Sequence, residues 1–211
     1  MRRLPVYLLI DTSGSMKGEP IESVKVGLST LVSSLRSDPH AMDTVNLSLM
    51  TFDGEVKILV PLSPLEDFVL PDIATPEAGP TMTGLALEKV CECVGREVVK
   101  STPEQKGDWR PLLFVMTDGS ASDVQLFNRM VPEVKKLGFG SVVGCAAGPK
   151  AKKDELQKFC NHVVALDTMD GHAFQSFFQW VSTAVAGGNM SMGVTSELQL
   201  PPPPPNVNFI S

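Results

Sequence analysis

Aromatic residues are scarce in this 211-residue chain, at 6%, with one tyrosine and two tryptophans. An apolar content of 43% nevertheless suffices for one sizeable, mainly aliphatic core, most simply a single domain. A surplus of positive charge is also missing. The net charge is −6 and no basic stripe offsets it, which argues against nucleic acid or anionic membrane as the main partner. Cysteine is limited to four residues, at positions 91, 93, 145 and 160, all inside apolar elements. That placement suits reduced, buried thiols and a cytoplasmic protein better than a disulfide framework. Cys91 and Cys93 point in different directions on a helix and have no histidine at zinc spacing. Of the three histidines, His40 and His172 stand among polar neighbours, and Cys160-Asn161-His162 reads as a helix end. No apolar stretch reaches the length of a transmembrane helix. The run after Arg2 and Arg3 is too short for a signal-peptide core and ends on Asp11.

What the chain does contain is an alternation of strand and helix patterns. Pro5 to Ile10 is continuously apolar, as in a strand buried on both faces. After a turn, Pro20 suits a first helical position, and Ile21, Val24, Leu28, Leu31, Val32 and Leu35 recur at helical spacing up to Asp38-Pro39. Strands are expected over Thr44 to Phe52 and Val56 to Leu62, joined at Asp53-Gly54 as an antiparallel edge hairpin. A segment punctuated by Pro61, Pro64, Pro71, Pro76 and Pro80 reads as an ordered loop. It leads into a helix carrying Leu87, Val90, Cys91, Val94 and Val98. Arg110 to Thr117 is a second fully buried strand, followed by a helix that Asp123 caps and Pro132 should kink or break. Strands at Ser141 to Ala147 and Val163 to Leu166 flank a short helix over Ala151 to Phe159. A last helix places Phe174, Phe177, Phe178, Val181 and Val185 on one face, with Trp180 in core packing or against the tail.

The expected fold is therefore α/β: an open, doubly wound, mostly parallel sheet with one antiparallel edge strand and helices on both faces. Residues 1–186 form the domain, and 187–211 read as a proline-rich tail around the run Pro201 to Pro205. That run should be extended polyproline II, either a free end or a segment docked on a partner or on its own domain.

Chemistry concentrates in Asp11-Thr12-Ser13-Gly14-Ser15, a carboxylate and two hydroxyls at alternate residues on a strand-to-helix turn. In open parallel sheets ligands bind beyond the carboxyl ends of strands where strand order reverses. If the strands ending in Asp11 and Asp118 are neighbours there, the Thr81 to Thr83 loop reaches the same crevice. Only carboxylate and hydroxyl oxygens then converge, a set suited to Mg²⁺, with Mn²⁺ as a close competitor and Ca²⁺ as a further candidate. Two carboxylates about neutralise a divalent ion, and of the ~6 oxygens that Mg²⁺ takes, at least one position is left for water or an incoming group. A carboxylate from a partner is a favoured last ligand.

DTSGSM after an apolar strand, GPTMTGLAL opening a helix and TDG after a second apolar strand together resemble the metal-ion-dependent adhesion site of von Willebrand factor type A domains. The resemblance covers Leu4 to Ala186 and places Asp11, Ser13, Ser15, Thr81 and Asp118 at the metal. Thr81 is preferred to Thr83 because the family's threonine follows a glycine pair, here Gly79-Pro80, and Pro80 departs from that pattern. Within the family, the opening RRLPVYLLIDTSGSMKGEPIESVKVGL is similar to bacterial TerY-type proteins of tellurium-resistance gene clusters, although Ala121 stands where those carry proline. That similarity implies a cytoplasmic protein-binding module in a stress-response assembly with a kinase-like protein and a protein phosphatase, without catalysis of its own.

Two rival readings carry less. DxSxS alone is a helix-capping motif. A Mg²⁺-dependent phosphohydrolase with Asp11 as nucleophile needs a second carboxylate two residues on, where this chain has Ser13, and no GxSxG elbow frames either serine. A scaffold that uses another surface, with the metal only ordering the loops, is the other alternative.

Overall fold

A computed structural model describes residues 2–75, 78–191, 200–205 and 207–210. Pro76 and tail residues 192–199, Asn206 and Ser211 lie outside the described residues. Seven strands form one sheet in the order β3-β2-β1-β4-β5-β6-β7. They are β1 (Leu4–Asp11), β2 (Val45–Phe52), β3 (Val56–Pro64), β4 (Leu112–Thr117), β5 (Ser141–Ala147), β6 (His162–Leu166) and β7 (Val207–Ile210). Pairing is parallel from β2 through β6, and β3 lies antiparallel along β2 as its short connection requires.

Alternate residues of each central strand face opposite layers, which explains their continuously apolar sequences. Leu4, Val6, Leu8 and Ile10 of β1 face a core shared with α1 (Glu19–Arg36) and α6 (Gly171–Ser191). Tyr7 and Leu9 face the other core, covered by α3 (Thr83–Glu97) and α4 (Val124–Lys136). The apolar stripe of α1 is buried as its spacing predicts, and so are Phe174, Phe177 and Phe178 of α6.

Several local expectations change. Asp38-Pro39 ends α1 and also starts a helix, α2 (Pro39–Thr44), because the Asp38 carboxylate accepts from the amides of His40 and Ala41 at 2.8 and 3.0 Å. Helix α4 runs through Pro132 without a break. The short helix α5 spans only Lys153–Gln157. The proline-punctuated loop is ordered as expected, with a turn at 65–67, and the Arg36 guanidinium holds it through the carbonyls of Leu65 and Phe68 at 3.0 and 2.6 Å.

The sheet also gains a second antiparallel edge. After the proline run, Val207–Ile210 pairs with β6, so the chain end supplies a seventh strand and covers an otherwise open row of backbone groups. Trp180 of α6 meets this segment, its indole N–H donating to the Pro201 carbonyl at 2.9 Å and its ring lying edge-on to Phe209 at 5.7 Å.

Candidate metal centre

Strands β1 and β4 are parallel neighbours, with β2 beyond β1 and β5 beyond β4, so the chain winds outward in both directions from this pair. Their carboxyl ends mark the reversal of strand order, where the two following loops part and leave a crevice. Asp11 closes β1 and Asp118 follows β4, both at this end of the sheet. The second expected component, the loop before α3, is tied to the same place. Thr81 donates its amide to Ser122 Oγ at 3.1 Å, and its carbonyl accepts from the Ser122 amide at 2.8 Å. Thr81 Oγ1 lies 3.2 Å from where a Cβ on Gly119 would stand, so the glycine leaves Thr81 uncrowded beside Asp118.

Hydrogen bonds knit the remaining donors. Asp11 is fully buried, its Oδ1 accepting from the Ser13 amide at 2.8 Å and its Oδ2 from Thr117 Oγ1 at 2.6 Å. The Ser13 and Ser15 hydroxyls are 3.3 Å apart, and Ser15 donates to Asp118 Oδ1 at 2.9 Å. Ser13 is buried, while Ser15, on a 3₁₀ turn at Gly14–Met16, is exposed and marks the mouth of the crevice.

The electrostatics show what is wanted here. Burial pushes the Asp11 carboxyl up to about 6 against the bonds from Thr117 and Ser13, which favour the charged form. Asp118 is also raised, chiefly by burial, and the Ser15 hydroxyl and the charge of Lys150 offset only part of that. Among the described residues neither carboxylate forms an ion pair. Two buried carboxylates ringed by hydroxyls, without a cation of their own, fit a divalent cation preferring oxygen. No described group of three or more His, Cys, Asp or Glu side chains offers an alternative centre.

Three side chains matter that the sequence reading gave other or no roles. Thr117 orients Asp11. Asp53, expected only to turn a hairpin, is buried: its carboxylate accepts from Thr12 Oγ1 at 3.0 Å and from the Glu55 amide at 3.1 Å, and its carbonyl accepts from the Met82 amide at 3.0 Å. It thereby links the loop after β1 to the loop carrying Thr81. Asp123, expected to cap its own helix, instead accepts from the amides of Gly84 and Leu85 at 2.9 and 2.8 Å, capping α3 from the neighbouring element. Only proximity in space reveals the last two roles, since neither partner is near in sequence.

Asp53→Ala should therefore weaken metal binding without removing a metal-facing group. The expected result is a several-fold loss of Mg²⁺ or Mn²⁺ affinity by calorimetry, with about 1–2 kcal/mol lost in chemical denaturation. Unchanged affinity would count against this linking role.

The family model for the von Willebrand factor type A domain matches residues 6–177. No curated protein matches the sequence significantly. Among solved structures, proximal thread matrix protein 1 from the mussel byssus is 18% identical with a TM-score of 0.66, over 88% of this chain and 47% of that one. Another structure of that protein, described as having a zinc-occupied MIDAS motif, is 17% identical with a TM-score of 0.61 over 88% and 48%. The pilus adhesin SpaC from Lactobacillus rhamnosus GG is 12% identical with a TM-score of 0.67 over 89% and 31%. A von Willebrand factor type A protein from Catenulispora acidiphila is 14% identical with a TM-score of 0.64 over 88% and 43%. This chain thus spans about half or less of those structures, and the likeness to them is one of fold.

Proposed function

The chain belongs to the von Willebrand factor type A domain family, and from that membership and the geometry above we propose that it is a non-catalytic module gripping a protein partner through a divalent cation, Mg²⁺ by preference. The observation that carries this reading is the convergence of Asp11, Ser13, Ser15, Thr81 and Asp118 at one end of the sheet, where the two carboxylates form no ion pair among the described residues. Asp11 and Asp118 would hold the ion directly or through water, with the hydroxyls as neutral ligands. When bound, the ion supplies a positive, electrophilic point at the mouth near Ser15, for which an Asp or Glu of the partner is the natural complement.

Catalysis is not part of the proposal, because Ser13 stands where a phosphohydrolase would need its second carboxylate. The similarity of the opening sequence to TerY-type proteins supports the finer reading of a bacterial tellurium-resistance or stress-response assembly with a kinase-like protein and a phosphatase. The four free cysteines, buried or half-buried, suit the reducing cytoplasm. No helix among the described residues is long and apolar enough to cross a membrane.

The test is capture of partners from native lysate on the immobilised chain, with Mg²⁺, with EDTA and with Asp118→Ala. Partners retained with Mg²⁺ and lost in both other conditions are expected. Equal retention in all three would favour a scaffold that binds through another surface.

A further inference from the structure

The proline run is presented as well as anchored. Five consecutive prolines have φ held near −65°, and each residue before a proline is kept out of the α region, so the run favours a polyproline II course with ~3 residues per turn through Pro204 and ends in a turn at Pro205. Residues three apart then lie on one edge. The domain holds one such edge at Pro201, whose carbonyl accepts from the Trp180 indole at 2.9 Å, while on the same edge the Pro204 carbonyl accepts from the Val207 amide at 2.9 Å in the turn that leads into β7. Pro202 and Pro205, also three apart, are exposed, whereas Pro201, Pro203 and Pro204 are half-buried. Both ends are held, by Leu200 packing against the core and by Val207 buried in β7.

We propose that Pro202 and Pro205 form a second docking surface, independent of the metal centre, for a protein domain whose aromatic-lined groove reads polyproline II. Three features support that occupant. A proline pair three apart on an exposed edge is the spacing such grooves accept. Much of the ordering entropy is already spent, because the helix is anchored at both ends before a partner arrives. Residues 171–211 contain no Lys or Arg, so within this segment a groove relying on acidic side chains finds no basic flank, while one relying on aromatic stacking and on bonds to proline carbonyls finds its ligand.

The experiment titrates the full chain with a purified EVH1-type polyproline-binding domain by calorimetry. Saturable binding is expected, unchanged by EDTA or by Asp11→Asn. Pro202→Ala combined with Pro205→Ala should lower affinity at least about ten-fold, or roughly 1.4 kcal/mol. Pro204→Ala, on the anchored edge, should cost clearly less. A synthetic peptide of residues 199–206 should bind more weakly than the full chain. The proposal is overturned if the peptide binds but the full chain does not, if neither binds, or if both edges lose affinity equally.

Discussion

Asp11→Asn should abolish Mg²⁺ binding and yet leave the metal-free protein more stable than the parent at pH 7. Asparagine keeps the shape of the side chain: its oxygen can accept from the Ser13 amide, and its amide can face Thr117 Oγ1, which then acts as acceptor. What it removes is a buried negative charge. The Asp11 carboxyl is lifted by burial from 3.8 to about 6, so the folded, metal-free chain holds its proton more tightly than the unfolded chain does. The stability this contributes is fully present below about pH 4 and is lost as pH rises through about 6, a loss on the order of 3 kcal/mol by pH 7. The variant lacks that loss. In EDTA its melting temperature should exceed the parent's at pH 7, and the gap should close towards pH 4. With Mg²⁺ the order should reverse, because only the parent gains binding energy. The same proton competes with the metal, so the parent's metal affinity should fall as pH drops through about 6. A variant that is less stable than the parent in EDTA at pH 7 would show that Asp11 is needed by the fold and not held in reserve for a cation.

A second large effect is expected at a residue with no chemistry of its own. A Cβ on Gly84 would stand 2.3 Å from the Phe127 amide nitrogen and 2.8 Å from both Asp123 Oδ2 and the Leu126 carbonyl carbon. Two of those neighbours are backbone of α4 and cannot swing aside, so Gly84→Ala must push α3 away from α4. Overpacking of this kind costs about 1–3 kcal/mol, and loss of the Asp123 bonds to Gly84 and Leu85 adds about 1 kcal/mol. At roughly 3 kcal/mol in total, the melting temperature should drop by about 6–12 °C. The displaced segment begins two residues after Thr81, so metal affinity should fall as well. Gly95→Ala is the control: it lies in the same helix, nothing stands within 4 Å of its Cβ, and removing a helical glycine there should be neutral or stabilise by up to about 1 kcal/mol. Equal behaviour of the two variants would mean that close packing of α3 on α4 does not hold the Thr81 loop.

What the amino-acid sequence determined by itself are the features written in local patterns. The uninterrupted apolar runs of β1 and β4, the helical stripe of α1 and the turn at Asp53-Gly54 state period and burial directly, and with them the alternation that makes a doubly wound sheet. The placement of the three motif segments was legible too, because each ends a strand or opens a helix at a recognisable boundary. Tertiary structure alone decided what depends on elements distant in sequence. Asp123 caps α3 because the close approach at Gly84 brings its carboxylate to that helix's amides. Asp53 ties two loops because β2 lies beside β1. Val207–Ile210 completes the sheet because β6 offers an edge and Trp180 a donor, neither of which composition or periodicity can report. A hydrogen bond between remote residues leaves no period in the sequence; it exists only once burial has set the elements side by side.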